Sequence, residues 1–127
     1  MPPQRLYLAR HGETDANFFK IIEDRGTGMP SEYGNPLNRN GLSQACALGH
    51  ALSKVKIHHI YTSPARRAVE TASQICLWTD ACNMPIKKSV TPELVEMNYG
   101  ILEGFNGKIA REKYPDLFKT YYQKPSL

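Results

Sequence analysis

The chain has 127 residues, 41% hydrophobic and 22% charged, with a formal net charge of +4, which is the size and balance of one globular domain able to bury its own core. The cations are scattered, in Ala65-Arg66-Arg67, Ile86-Lys87-Lys88 and between Lys108 and Lys113, so anions are weakly favoured and nucleic acid is not the expected partner. No apolar run approaches membrane-spanning length, and the few apolar residues after Met1-Pro2-Pro3-Gln4-Arg5 are too short for a signal-peptide core, so no membrane partner and a cytoplasmic location are expected.

Residues 5–9 read as a buried strand that stops at a polar cluster, Arg10-His11-Gly12-Glu13. A helix is predicted from Thr14 to about Ile22, where Ala16, Phe19 and Ile22 share a face and Asp15 suits the helix dipole. Residues 25–36 are rich in Gly, Pro, Ser and Asn and read as a long loop, of the length that often serves as part of a lid. Asn38 is a good N-cap for a helix over about 39–54, with Leu42, Ala45, Leu48, Gly49, Leu52 and Val55 at helical spacing. Gly41 and Gly49 weaken that helix, a cost that close packing of their face can offset. A strand at 58–62 follows. Ser63 then caps a helix with Pro64 in its first turn and Ala68, Val69, Ala72, Ile75 and Cys76 on its buried face. Residues 85–90 are a third short strand, and 108–114 and 116–122 are helices separated by Pro115. The βαβα order predicts an α/β fold: a mostly parallel central sheet with helices on both faces, in one domain over residues 1–127. Cys46, Cys76 and Cys82 are odd in number and lack metal-ligand spacing, so free thiols are expected rather than a disulfide framework or a metal site.

Four patches could carry chemistry. In the first, Arg10 offers a forked cation suited to phosphate, His11 a nucleophile or acid/base, and Gly12 a tight turn with close ligand approach. A chance Arg-His-Gly in a chain of this length has a probability on the order of 1%, and a solvated surface turn would show the same tripeptide. The second, Tyr61-Thr62-Ser63-Pro64-Ala65-Arg66-Arg67-Ala68, repeats the pattern of strand, turn and helix with cations in its opening turns. Ser63 and the arginines could complete an anion site there, or simply cap a helix and face solvent. In the third, Glu93-Leu94-Val95-Glu96-Met97-Asn98-Tyr99-Gly100, a carboxylate could protonate a leaving alcohol if burial or like charge raised its pKa; a polar loop is the plainer reading. The fourth, Asn35 to Ala45, reads as structural: a turn, a cap and a packed helix.

Taken in order, these patches resemble the histidine phosphatase superfamily, also called phosphoglycerate-mutase-like. Leu8-Ala9-Arg10-His11-Gly12-Glu13-Thr14 with Asn17 is similar to its signature. Pro36-Leu37-Asn38, Gly41, Gln44-Ala45 and Leu48-Gly49 match a second block, and Thr62-Ser63, Arg67-Ala68 and Thr71-Ala72 a third. Glu93-Leu94, Glu96, Gly100 and Glu103-Gly104 match a fourth, followed by Tyr114-Pro115. The resemblance implies the family's three-layer fold and phosphomonoester hydrolysis through a phosphohistidine on His11, with Glu96 as general acid/base. Arg10 and Arg67 would hold phosphate oxygens, Asn17 and Ser63 would contact the phosphate or substrate, and Arg66 would be a rim cation. A phosphorylated small molecule is the implied substrate, and neither metal nor cofactor is implied. Thr14 and Leu102-Glu103-Gly104 look like the phosphatase branch. Glu96-Met97-Asn98-Tyr99-Gly100 also resembles the mutase branch, so phosphoglycerate-mutase-type phosphoryl transfer is an alternative.

The sequence departs from the family at one point. Members carry a second pocket histidine in a Ser-His-Gly-like turn after a later strand, whereas the histidines here are His11, His50, His58 and His59. The expectation is a domain truncated at its C-terminus, and a further alternative is an impaired fragment or pseudoenzyme that binds phosphorylated ligands. Losing one preorganised donor from such a pocket costs about 3 kcal/mol of transition-state stabilisation. An incomplete sheet would leave an open edge and an apolar patch. The expected behaviour is therefore poor solubility, oligomerisation or dependence on a covering partner; a clean monomer in size-exclusion chromatography with cooperative thermal unfolding would contradict it.

Overall fold

The computed structural model describes residues 4–20, 34–80, 86–94 and 105–123. At its centre, strand β1 (His59–Thr62) pairs in parallel with β2 (Lys87–Val90), His59 lying opposite Lys87 and Thr62 opposite Val90. Parallel neighbours need a crossover, and helix α3 (Arg66–Asp80) provides it. The ladder runs slightly past the strands, with Lys87 N–H donating to His58 O at 3.4 Å and Thr91 N–H to Thr62 O at 2.7 Å. The arrangement is α/β with a parallel sheet and helices, as the sequence predicts.

Helix α2 (Arg39–Ala51) starts at the expected cap: Asn38 Oδ1 accepts from Gly41 N–H at 2.8 Å. Its buried residues are Gly41, Ala45 and Gly49, while Leu42 is exposed. The contact face is thus small residues rather than the full leucine stripe, which lets α2 sit close to α3. A Cβ on Gly49 would meet Trp78 Cδ1 at 2.7 Å, Gln74 O at 3.0 Å and Ile75 Cα at 3.1 Å. Trp78 also spans the pair through its indole N–H, which donates to Cys46 Sγ at 3.2 Å, and through an edge contact with His50 at 4.8 Å between ring centroids. Cys46 and Cys76 are free thiols; Cys82 lies outside the described residues.

The start of α3 falls two residues beyond the predicted one. Ser63 Oγ accepts from Ala65 N–H at 3.2 Å, and Ala65 O receives the first helical bonds, from Ala68 and Val69, at 3.0 Å each. Proline biases the residue before it toward extended backbone, and a bend at Pro64-Ala65 then precedes the helix. Ala72 and Ile75 are buried as expected, joined by Arg67, Thr71 and Thr79. The threonine hydroxyls donate back to carbonyls four residues earlier, Thr71 to Arg67 at 2.8 Å and Thr79 to Ile75 at 3.0 Å, so their burial leaves no polar group stranded.

Two predicted elements at the N-terminus are corrected. Residues 4–13 belong to no helix or strand, and Leu6 and Leu8 are 82% and 89% exposed. A strand is stable only against a neighbour that takes its backbone hydrogen bonds. Among the described residues the ladder joins β1 to β2 alone, so the apolar run of residues 5–9 has burial preference without a partner. The predicted helix over 14–22 is a single turn, α1 (Asp15–Phe18), capped by Thr14. Ala16 is buried, but Phe19, assigned to the same face, is exposed; Ile22 lies outside the described residues.

After a 3₁₀ turn at Pro92–Leu94, the helices α4 (Gly107–Lys113) and α5 (Pro115–Gln123) form a small satellite. Ala110 is fully buried there against Phe105, Tyr114 and Phe118. Arg111 covers the Phe118 ring at 5.0 Å, and Lys113 covers Phe105 at 5.4 Å. Pro115 occupies the first position of α5, where its missing N–H costs nothing. Asn106 Nδ2 donates to Phe19 O at 3.0 Å, and Gly107 N–H to Lys20 O at 2.8 Å, fastening this satellite to the end of α1.

Gly49→Ala tests the α2–α3 contact. Overpacking costs about 1–3 kcal/mol, while alanine gains about 1 kcal/mol of helix propensity. The added methyl meets backbone atoms that cannot swing aside, so a net loss of about 1 kcal/mol is expected from urea unfolding; a stabilised variant would show that the contact yields.

Candidate active site

The polar cluster after the N-terminal segment is held from two sides. On the first side, its backbone runs against the opening turn of α2. A Cβ on Gly12 would collide with the carbonyl oxygen of Gly41 and come within 2.9 Å of its Cα; a Cβ on Gly41 would collide with the carbonyl oxygen of Glu13 and lie 2.8 Å from its nitrogen. Only glycine fits at either position. Thr14 forms an antiparallel bridge with Leu37, and Asn38 N–H donates to Glu13 O at 3.0 Å. The Glu13 side chain completes the contact: its Oε1 accepts from Asn38 Nδ2 at 2.9 Å and Asn40 Nδ2 at 3.2 Å. Glu13 N–H donates to Gln44 Oε1 at 2.8 Å. A carboxylate at the start of α2 also suits the positive end of the helix dipole.

On the second side lies α3. Gly12 N–H donates to Thr71 Oγ1 at 3.0 Å in a buried setting, and the same hydroxyl donates to Arg67 O. Two hydrogen bonds therefore link the residue after His11 to the helical turn that carries Arg67. Arg67 is 2% exposed, and its Nη1 is buried. A guanidinium cannot shed its charge when buried, so this is a fixed cation with restricted solvation.

His11 is half-buried between these supports. Its Nδ1 lies 2.7 Å from Gly12 O. A carbonyl can only accept, so Nδ1 carries the proton, and in the neutral ring the lone pair is on Nε2. Asn17 is tied to the same loop. Its Oδ1 accepts from Thr14 N–H at 3.0 Å and Thr14 Oγ1 at 3.1 Å, while Asn17 N–H donates to Thr14 Oγ1 at 3.2 Å. These bonds turn the amide oxygen of Asn17 toward Thr14.

The structure thus brings His11, Asn17 and Arg67 into one hydrogen-bonded framework. Ser63 sits half-buried in the bend leading into α3, and Arg10 is exposed beside His11. Glu96 lies outside the described residues, as do Arg25 and Glu103-Gly104. Arg66, expected as a rim cation, pairs with Glu70 at 2.7 Å along the helix. His50 packs on Trp78, and His59 bonds Ser89 Oγ at 2.7 Å and stacks on Tyr61, so neither is part of the His11 framework. Among the described residues, no cluster of three or more His, Cys, Asp or Glu could hold a metal ion, and no helix is long and apolar enough to cross a membrane.

Sequence reasoning missed the supporting residues. Asn38, Gly41 and Gln44 read from sequence as a structural cap and packed helix, but they also grip the His11 loop. Thr71 carried no chemical expectation. The available signal was a pair of glycines that local helix or strand propensity does not explain.

Comparison with known proteins places the chain in a family. Residues 6–127 match the model for the histidine phosphatase superfamily (branch 1), and the chain belongs to that superfamily. It is 35% identical over 99 residues to fructose-2,6-bisphosphatase TIGAR of Xenopus laevis, covering 78% of this chain and 34% of the relative. It is 29% identical over 121 residues to phosphoserine phosphatase 1 of Hydrogenobacter thermophilus, covering 95% and 52%. Among solved structures, YhfR of Bacillus stearothermophilus superposes with a TM-score of 0.69 at 29% identity, covering 90% of this chain and 50% of that one. A mycobacterial glucosyl-3-phosphoglycerate phosphatase gives 0.66 at 24% identity, covering 83% and 46%, and speaks to the fold alone. The chain spans from about a third to about half the length of these proteins.

Removing the Thr71 acceptor strands a buried N–H. Thr71→Val is expected to lower unfolding free energy by about 1–3 kcal/mol, and Thr71→Ser by clearly less. Urea titration of both variants checks this; equal losses would place the cost in packing instead.

Proposed function

We propose that this chain carries the phosphoryl-accepting part of a phosphomonoesterase site and that His11 is its nucleophile. The observation that carries the reading is the His11 Nδ1–Gly12 O hydrogen bond at 2.7 Å. It leaves Nε2 as the nucleophilic nitrogen of a ring whose orientation is already fixed, which lowers the entropic cost of attack. Nε2 attacks phosphorus, the P–O bond to the alcohol breaks, and a phosphohistidine forms. Glu96 gives the leaving oxygen its proton; in the second step it takes a proton from the water that attacks phosphorus and frees His11.

Charge placement supports the same reading. Phosphoryl transfer depends on preorganised positive groups around the equatorial oxygens. Arg67 is a buried cation tied by way of Thr71 to the residue after His11. Arg10 adds an exposed guanidinium, and Asn17 and Ser63 add neutral donors. The relatives named as phosphatases of fructose-2,6-bisphosphate and phosphoserine point to a phosphorylated small molecule as the substrate class. Hydrolysis is favoured over transfer to a second substrate because the named relatives are phosphatases.

The test is incubation of the purified chain with p-nitrophenyl phosphate, followed by trapping of acid-labile phosphohistidine. Label on the wild type that is lost in His11→Ala is the expected result. Equal turnover in both proteins would remove His11 from the mechanism; phosphate binding without label would favour a ligand-binding domain. Arg67→Lys keeps the charge but loses the fork, and should weaken inorganic phosphate binding at least about tenfold in calorimetry.

A further inference from the structure

We propose that Gln44 is a positioning residue for His11 and acts through the peptide between Gly12 and Glu13. That single peptide unit is bonded at both ends. Its carbonyl, Gly12 O, accepts from His11 Nδ1 at 2.7 Å, and its N–H, on Glu13, donates to Gln44 Oε1 at 2.8 Å. In a trans peptide the two groups point in opposite directions, so an acceptor on the α2 side turns the carbonyl toward the histidine. Gln44 thereby sets which ring nitrogen of His11 keeps its proton.

The need for such a hold follows from Gly12. Its Cβ-free backbone is required by the close approach of Gly41, and glycine gives the following peptide wide rotational freedom. If that peptide turned over, its N–H would face Nδ1 in place of the carbonyl, and the ring would favour the Nε2–H tautomer. The peptides on either side are fixed separately, by Thr71 on Gly12 N–H and by Asn38 N–H on Glu13 O. Gln44 holds the one between. Accepting from the N–H also polarises the peptide and strengthens the carbonyl as an acceptor. Gln44 itself is exposed on α2, so helix packing gives no account of its side chain reaching back to this N–H.

The role as positioner of a nucleophile rests on the phosphohistidine reading; control of the tautomer does not. The experiment is ¹⁵N NMR of the histidine rings in the full chain at about pH 9, above the ordinary imidazole range, with His11 assigned from His11→Ala. Gln44→Met removes the acceptor, whereas Gln44→Glu keeps one; both residues are good helix formers at an exposed site. The wild type should carry the proton on Nδ1. Gln44→Met should lower the ratio of Nδ1–H to Nε2–H about fivefold, and Gln44→Glu should keep the wild-type ratio. An unchanged ratio in Gln44→Met, an equal fall in both variants, or a wild type already protonated on Nε2 would each overturn the proposal. Phosphohistidine formation is read in parallel. Its rate should fall with the ratio in Gln44→Met at unchanged phosphate affinity. A wild type that forms no phosphohistidine yet shows the tautomer response would overturn the catalytic reading and support the control by Gln44.

Discussion

The site depends on one steric constraint: two stretches of backbone, at Gly12-Glu13 and at Gly41, lie closer together than any side chain permits. Proximity brings Asn38, Asn40 and Gln44 within reach of the Glu13 backbone and carboxylate. It also fixes α2 relative to the loop that bears His11. Without it the four hydrogen bonds around Glu13 lose their geometry together, because they share the same few residues at the helix start.

The second anchor has a different physical character. Gly12 N–H to Thr71 and Thr71 to Arg67 are buried, where a hydrogen bond is strong and its loss leaves a group unsatisfied. The α2 anchor is half-exposed and held by several polar side chains. Because α2 and α3 pack on one another through Gly49 and Trp78, the two anchors form one frame. His11 sits where that frame converges, one residue before the Gly12 N–H that bonds Thr71 on the helical turn of the buried Arg67.

Much of this was legible in the sequence. Asn38 is placed by capping chemistry, and the polar cluster at residues 10–13 by a handover from apolar to polar residues. The parallel pair β1–β2 and its crossover followed from two short strand-like segments flanking a helical period. Residues 5–9 show where that reasoning stops: Leu6, Tyr7 and Leu8 encode a preference for burial, but a strand also needs a neighbour, and pairing is not a local property. The exposure of Leu42 and Phe19 has the same origin, since periodicity gives a face and tertiary contact decides how much of it is covered. At the candidate site, His11 and Arg67 carry side chains that suggest phosphate chemistry on their own, whereas Asn17 enters only through the family resemblance. Thr71 and Gln44 were not legible in this way, because their part is played through backbone groups whose positions only the fold reveals.

The clasp between Asn106-Gly107 and the end of α1 has a consequence for the order in which the molecule comes apart. It closes a loop of 87 residues, against 25 for the Asn38–Glu13 contact. On a chain-closure scale the longer loop costs about 1 kcal/mol more, and among the described residues two hydrogen bonds fasten it, Asn106 Nδ2 to Phe19 O and Gly107 N–H to Lys20 O. On these two counts the satellite of α4 and α5 is expected to release on warming before the frame of α2, α3 and the His11 loop. By the same reasoning the clasp is expected to close late in assembly, after the loop that bears His11 is seated.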